Sequence, residues 1–112
     1  GFLEKVYENS LILELPKFGL HGRRQVPIDV FYDDIKVGNY FADIIIENVL
    51  IIEIKAAENL CEAHEAQLLN YLRATKIEHG LLFNFGQKPE FRKKIWTNEY
   101  TSQKNKVTTH HP

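Results

Sequence analysis

The spacing of hydrophobic residues changes from a helical to a strand-like period along the first half of the chain. In "FLEKVYENSLILELPKFG" the apolar side chains recur at helical spacing, which predicts a helix that ends at the breakers between Pro16 and Gly19. "QVPIDVFYDDIKVGNYFADIII" instead alternates around Asp33-Asp34, which predicts a hairpin that passes at Gly38 into the apolar stretch that follows. With "LIIEIK" behind it, the pattern predicts one helix followed by three strands.

A second helix and further strands follow. "LCEAHEAQLLNYLRAT" has helical spacing and is predicted to end in a turn at His79-Gly80. "GLLFNFG" is a short apolar run between glycines, which indicates a buried strand reached by a right-handed crossover onto the same sheet. "EFRKKIW" predicts a last strand with one side formed by Phe91, Lys93 and Ile95. The order is α-β-β-β-α-β, and the predicted fold class is α/β.

Composition and charge narrow the class of protein. A length of 112 residues suits one domain, and with 26% charged residues no apolar run reaches the roughly 18 residues of a membrane span, so no membrane partner is predicted. The net charge of −1 argues against a protein that coats nucleic acid, although the local basic runs at Arg23-Arg24 and Arg92-Lys93-Lys94 are candidate phosphate contacts or solvated surface charges. The single cysteine, Cys61, matches no zinc-ligand spacing and favours a cytoplasmic location.

Three charges interrupt the most apolar part of the chain, "FADIIIENVLIIEIKA". Glu53 and Lys55 are two positions apart on a strand, so they share a face. Asp43 shares that face if it opposes Glu53. This pairing requires Ile46 to face Leu50 across a three-residue loop, whereas a two-residue turn would put Asp43 on the other face. A functional role for the charges therefore predicts a register.

The chemistry of these residue types points to a metal. Two carboxylates from paired strands raise each other's pKa unless a cation lies between them, and oxygen ligands of this kind suit Mg²⁺ or Mn²⁺. Lys55 is placed to orient a water molecule and to offset charge on a phosphate transition state. The pattern predicts metal-assisted phosphodiester hydrolysis; the alternative is an Asp and a Glu-x-Lys at a solvent-facing strand end.

Both predicted helices carry further candidates. Glu4 and Glu8 are one turn apart on the first helix, where either side chain overhangs the sheet or faces solvent. Gln67 and Tyr71 are one turn apart on the second helix, where they bind a phosphate or a carboxylate, or else Tyr71 joins the core and Gln67 is exposed. His64, one turn before Gln67, reaches the same site or packs between helices.

Together these segments resemble a known family. "GFLEKVY" matches the Gly-x-x-Glu-x-x-Tyr signature of the GxxExxY proteins, a group within the PD-(D/E)XK nuclease superfamily, and the likeness continues through "IIEIKA", "HEAQLLNYL" and "GLLFNFG". The resemblance implies a restriction-endonuclease-like αβββαβ core, with a mixed sheet flanked by helices. It places a nuclease-like domain over residues 1–100, truncated at its start, and a polar tail over residues 101–112.

The resemblance also implies roles for single residues. Asp43 and Glu53 become metal ligands, Lys55 the water-positioning residue, and Glu4 the helix acid that completes the metal shell in RecB-like members. Ala42 stands where the superfamily's name has Pro. The implied catalytic residues are Asp43, Glu53, Lys55 and Gln67, the implied metal-site residues are Glu4, Asp43, Glu53 and Ile54, and the implied substrate-binding residues are Gln67, Tyr71, His64 and Arg24.

Three functional hypotheses follow. The first is a Mg²⁺- or Mn²⁺-dependent nuclease that acts on DNA, as a monomer or as a homodimer. The second is a nucleic-acid-binding or protein-interaction module that keeps the fold without cleaving. The third is a nuclease with RNA as its substrate, which the sequence does not separate from the first because the phosphate chemistry is shared.

Overall fold

The computed structural model describes residues 1–97. Its elements are helix α1 (Phe2–Glu14), a 3₁₀ turn (Leu15–Phe18), strands β1 (Gly22–Tyr32), β2 (Ile35–Ile46) and β3 (Leu50–Lys55), helix α2 (Glu62–Thr75), and strands β4 (His79–Asn84) and β5 (Glu90–Ile95). The strands form one sheet in the order β1-β2-β3-β4-β5. Neighbouring strands are antiparallel except β3 and β4, which are parallel. The predicted mixed sheet and the α-β-β-β-α-β order are confirmed. The polar tail predicted for residues 101–112 lies outside the described residues.

The ends of both helices follow from local chemistry. After α1, Pro16 begins the 3₁₀ turn, and Gly19 ends it with φ at 73°, a left-handed conformation that glycine adopts at little cost. Helix α2 begins after Cys61 and ends at Lys76, which has φ at 65°. The predicted turn at His79-Gly80 is wrong, because both residues lie in β4 and the chain has already turned at Lys76. Lysine rarely adopts the left-handed conformation, so the sequence does not indicate that α2 ends at Lys76.

The loops between β1, β2 and β3 set the register of the sheet. Asp33 and Asp34 both have positive φ, as the two-residue turn of a tight hairpin requires. Between β2 and β3, Ile46 pairs with Leu50 around a three-residue loop, so the predicted register is confirmed. The Arg23 guanidinium donates to the side chain of Asn48 in this loop at 2.6 Å. The loop is thereby fixed against β1.

Two hydrophobic clusters lie on opposite faces of the sheet. Ile44 and Ile46 pack in the cluster that includes Leu11 of α1, whereas Ala42, only two positions before Ile44, packs in the cluster that includes Leu68 of α2. The alternation of side chains along β2 is therefore interrupted at position 43. Strand β1 is irregular at the same level, where Gln25 has φ at 49° and forms no ladder pair although the register is the same on both sides.

The last strand shows the predicted alternation, with exposed side chains at Phe91, Lys93 and Ile95. No helix within residues 1–97 is long and apolar enough to cross a membrane.

Candidate active site

Where the ladder between β2 and β3 ends, the carboxylates of Asp43 and Glu53 accept the backbone hydrogen bonds instead of main-chain carbonyls. The last ladder pair between these strands is Ile44 with Ile52. Beyond it, the Asp43 N–H donates to Glu53 Oε2 at 2.7 Å, and the Ile54 N–H donates to Asp43 Oδ2 at 2.7 Å. Each carboxylate thus binds the backbone of the opposite strand, which satisfies N–H groups that the ladder would otherwise pair. The two predicted ligands are brought together by these reciprocal bonds.

Burial makes this pair electrostatically unusual. Glu53 is 3% exposed, and its pKa is raised to about 8, first by burial and then by the negative charge of Asp43. The pKa of Asp43 is also raised, first by burial, with the carboxylate of Glu8 as the repelling charge. The backbone hydrogen bonds act in the opposite sense on both groups but do not cancel the increase. A cation placed between the carboxylates would favour their ionised forms.

Lys55, Gln67 and Tyr71 surround the carboxylates from β3 and α2. The Lys55 ammonium donates to Gln67 Oε1 at 3.2 Å, which holds the lysine side chain toward α2. Burial raises the pKa of Tyr71 to about 12, and the charges of Glu53 and Asp43 add to the increase. The structure therefore brings together five of the residues predicted from the sequence.

The acid from α1 that lies against this group is Glu8. Its side chain is buried at 2% exposure, and its charge raises the pKa of both Asp43 and Glu53. Gln25 Nε2 donates to both Glu8 oxygens at 3.1 and 3.0 Å and lies 3.4 Å from Asp43 Oδ1. Glu4, the acid chosen from the sequence, is partly exposed, and its pKa is lowered, first by a hydrogen bond from its own backbone N–H and more weakly by Lys55. Glu4 lies within electrostatic reach of Lys55, but Glu8 occupies the buried position.

Three other predicted site residues already have partners within the protein. The side chain of Ile54 is buried in the α1 cluster, so only its backbone faces the carboxylates. Arg24 Nε donates to Glu8 Oε1 at 3.0 Å, so its guanidinium is already engaged by a carboxylate. His64 Nδ1 accepts the N–H of Cys61 at 3.3 Å and caps the start of α2.

A residue that sequence reasoning missed fixes the chain after Lys55. Asn84 is 1% exposed, and its amide both accepts from the Ala57 N–H and donates to the Ala57 carbonyl, each at 2.9 Å. Gly86 lies so close that a Cβ there would overlap the Ala57 carbonyl oxygen. The Phe85 N–H donates to the Lys55 carbonyl at 2.8 Å. The only sequence signal for this clamp is a polar residue inside the apolar run "GLLFNFG".

The donor set fits a hard divalent cation held by two carboxylates. Within residues 1–97, no three His, Cys, Asp or Glu side chains converge as a ready-made metal cluster. Mg²⁺ is commonly held by one or two protein carboxylates and completes its shell with waters and substrate phosphate oxygens. Asp43 and Glu53 are such a pair, and the cost of ionising them in this buried position is the cost that a bound cation reduces.

The comparisons with solved structures concern the fold. The crystal structure of SSO0001 superposes with a TM-score of 0.62 at 19% identity, covering 98% of this chain and 60% of that one. LHK-Exo, an alkaline exonuclease from Laribacter hongkongensis, superposes with a TM-score of 0.61 at 9% identity, covering 94% of this chain and 62% of that one. The chain thus spans about three fifths of the length of each structure, and the shared fold is restriction-endonuclease-like.

Sequence comparison adds the family. Among curated proteins, none matches the chain. The family model of the PD-(D/E)XK nuclease superfamily, however, matches residues 1–95, which include both carboxylates and the Glu-x-Lys strand. Sequence and fold agree over nearly all of the described chain, and the chain belongs to the PD-(D/E)XK nuclease superfamily.

Proposed function

We propose that this protein is a Mg²⁺- or Mn²⁺-dependent nuclease that hydrolyses phosphodiester bonds, with DNA as its substrate. The observation that carries the proposal is the pair of buried Glu53 and half-buried Asp43, which is fixed by reciprocal backbone bonds beside Lys55. Amide side chains could accept the same backbone N–H groups without mutual repulsion, so two adjacent carboxylates with raised pKa values at this position indicate a functional role. Membership of the nuclease superfamily supports the same reaction class.

Asp43 and Glu53 would hold the cation, together with the backbone carbonyl oxygen of Ile54, the residue between the Glu and the Lys of the motif. A divalent cation, when bound, supplies positive charge to a phosphate group and to the leaving oxygen. The carboxylates hold this position rigidly, because each is anchored to the opposite strand at 2.7 Å. A rigid site is what electrostatic stabilisation of a phosphoryl transition state requires.

Lys55 provides the second positive charge. Its ammonium has three donors, one of which binds Gln67 Oε1 at 3.2 Å, so donors are left for a water molecule or a phosphate oxygen. Gln67 acts by holding Lys55 in this direction. The Tyr71 hydroxyl stays protonated because its pKa is raised to about 12, so it acts as a hydrogen-bond donor to substrate rather than as a base.

Glu8 is the acid of α1 that we propose as the auxiliary residue of the metal site, with Glu4 at its outer edge. Glu8 is buried against Asp43, and Gln25 and Arg24 fix its carboxylate. Substrate contacts by His64 and Arg24 remain predictions, since each already has a partner.

Several narrower assignments belong to this proposal. The Gly-x-x-Glu-x-x-Tyr signature supports the GxxExxY group and a RecB-like subtype, with a nuclease domain over residues 1–100. Cys61 is exposed and free, which supports a reducing cytoplasmic compartment. A homodimer is a further element, to be tested by sedimentation of the full chain.

The test is cleavage of single-stranded DNA, duplex DNA and RNA with Mg²⁺, Mn²⁺ or EDTA. The variants are Asp43→Asn, which keeps an acceptor for the Ile54 N–H, and Lys55→Ala. Lys36→Ala is the matched control, because Lys36 pairs with Asp29 on the hairpin surface. We expect metal-dependent cutting that both site variants lose and that the control retains.

The result also identifies the polymer. Cutting by wild type that persists in EDTA, or that survives in Asp43→Asn, contradicts the metal site. A folded wild type that cuts none of the three polymers contradicts the nuclease and favours the non-catalytic binding module.

A further inference from the structure

One residue of the Gly-x-x-Glu-x-x-Tyr signature, Tyr7, has no role in the candidate active site. Its ring stacks on Phe85 with centroids 4.1 Å apart and planes 10° apart. The centroid of the Phe83 ring lies 5.8 Å from that of Phe85 and 6.0 Å from that of Phe91. These four rings, Tyr7, Phe85, Phe83 and Phe91, form a continuous aromatic row from α1 across β4 to β5.

The outer members of the aromatic row are open to solvent. Phe91 is 66% exposed and Tyr7 is 36% exposed, and Ile95, further along the same face of β5, is 51% exposed. Helix α1 packs mainly on β1, β2 and β3, and the side chains of β5 on the same face of the sheet, Phe91, Lys93 and Ile95, are exposed. Contiguous exposed apolar surface next to polar groups is characteristic of a binding site.

The aromatic row is continuous with the candidate active site. The backbone N–H of Phe85 donates to the carbonyl of Lys55 at 2.8 Å. Tyr7 directly precedes Glu8 on α1, whose carboxylate acts on Asp43. On α1, Tyr7 is one turn after Glu4, which lies within electrostatic reach of Lys55, so a strand of nucleic acid with one phosphate at Lys55 would meet the row at its Tyr7 end.

We propose that the aromatic row binds the unpaired bases of a single-stranded nucleic acid whose backbone passes through the active site. This inference rests on the proposed nuclease function and adds the strandedness of the substrate to it. Aromatic side chains stack on any base, and bases in a duplex have no free faces to offer. Lys93 lies between Phe91 and Ile95 on the exposed side of β5 and forms no ion pair within residues 1–97, so its ammonium is available to a phosphate.

Charge distinguishes this surface from the exposed aromatic pair at the tip of the β1–β2 hairpin. Phe31 and Tyr32 at the tip of the β1–β2 hairpin are 58% and 71% exposed, but they are followed directly by Asp33 and Asp34. Carboxylates repel the phosphate backbone, whereas Lys93 attracts it. Phe31 therefore provides a matched control with similar exposure and unfavourable charge.

The test is binding of a fluorescein-labelled oligothymidylate of about 12 nucleotides to the full chain in EDTA, measured by anisotropy. An abasic strand of equal length retains the phosphates and removes the bases. We expect Phe91→Ala to weaken oligothymidylate binding about tenfold, Phe91→Trp to retain it, and Phe31→Ala to leave it unchanged. Abasic-strand binding is expected to be weak and insensitive to Phe91→Ala.

Equal binding by wild type and Phe91→Ala, or an equal loss in Phe31→Ala, overturns the inference. So does a dimer in sedimentation that Phe91→Ala dissociates while oligothymidylate binding stays unchanged, because the row is then an interface between copies. Cleavage tests the nuclease function separately. If Phe91-dependent binding occurs but no polymer is cut with any metal, the aromatic row stands and the nuclease function fails. If wild type cuts nucleic acid and Phe91→Ala binds normally, only the aromatic row fails.

Discussion

Two glutamates, Glu65 on α2 and Glu53 on β3, show how differently this fold treats the same chemical group. Glu65 forms ion pairs with Arg92 at 2.6 Å and with Lys94, and these two hydrogen-bonding cations lower its pKa. Glu53 is buried beside Asp43, and its pKa is raised to about 8. Glu65 joins α2 to β5 through these two ion pairs. The ionised form of Glu53 is disfavoured by its own protein environment.

The difference separates a structural carboxylate from a functional one. A structural ion pair lowers the free energy of the folded protein or leaves it unchanged. A buried acid next to another acid raises it, unless a ligand compensates. The contrast between Glu53 and Glu65 should therefore appear in cleavage, in the pH dependence of stability and in metal binding.

Cleavage is expected to show the largest difference. Glu53→Gln keeps an oxygen that accepts the Asp43 N–H but removes the charge that would hold the cation, so we expect at least about 100-fold slower cleavage. Glu65→Gln is expected to cut at close to the wild-type rate. Initial cleavage rates are measured on the preferred polymer at saturating Mg²⁺. Circular dichroism of each variant is the folding control. Equal losses in the two variants would contradict the contrast.

The pH dependence of stability is the next effect. Folding raises the pKa of Glu53 from 4.5 to about 8, so the stabilising protonated form is fully present below pH 4.5 and is lost as the pH rises through about 8. In EDTA, wild type should lose a few kcal/mol of unfolding free energy between about pH 5 and about pH 9. Glu53→Gln should lose much less, with the raised pKa of Asp43 accounting for the remainder. Urea unfolding across this range measures how the unfolding free energy of each protein changes with pH. The same change in both proteins would contradict a raised pKa for Glu53.

Metal addition should recover the stability lost at high pH. At about 100 times its dissociation constant, Mg²⁺ or Mn²⁺ is expected to stabilise wild type by about 2.7 kcal/mol. The melting temperature of Glu65→Gln should rise in the same way, and that of Glu53→Gln should not. Thermal melts at pH 8 with and without metal test this, using Ca²⁺-free buffers. A rise in Glu53→Gln equal to that of wild type would place the bound ion elsewhere.

Glu65 should produce the smallest effect, and at the opposite end of the pH scale. Its pKa is lowered, so the stability from its ion pairs is present above pH 4.5 and is lost as the pH falls through the lowered value. Glu65→Gln should therefore differ from wild type near neutral pH and converge with it in acid. Acid titration of both proteins by circular dichroism measures this. A stability difference between the two proteins that grows toward low pH would contradict a lowered pKa for Glu65.

The sheet and the paired carboxylates were predictable because the constraints on them are local. Ile44 to Ile46 and Leu50 to Ile52 are continuous apolar runs, and one loop length aligns Asp43 with Glu53. The identity of the acid on α1 was not predictable in the same way. Glu4 and Glu8 are one turn apart, and the one that is buried depends on how the helix is rotated against the sheet. Spacing does not separate them, since Glu4 lies seven residues before Leu11 and Glu8 three, so both are on the stripe that packs.

Other parts of the site depend on contacts distant in sequence. Asn84 meets Ala57 across 27 positions, and Gln25 meets Glu8 across 17. No periodicity specifies such pairs. The positive φ of Gln25 is also invisible in the sequence, because residues other than glycine rarely adopt this conformation and glutamine gives no indication of it.

The reciprocal bonds between β2 and β3 have an evolutionary consequence. Because each acid accepts a backbone N–H of the other strand, a descendant that loses its chemistry still needs an acceptor at both positions to keep the strands joined. Asparagine at position 43 and glutamine at position 53 would preserve those bonds and relieve the repulsion, whereas alanine would leave buried N–H groups unpaired. Inactive descendants of this chain should therefore carry amides at these positions, and each step toward inactivity should make the protein more stable.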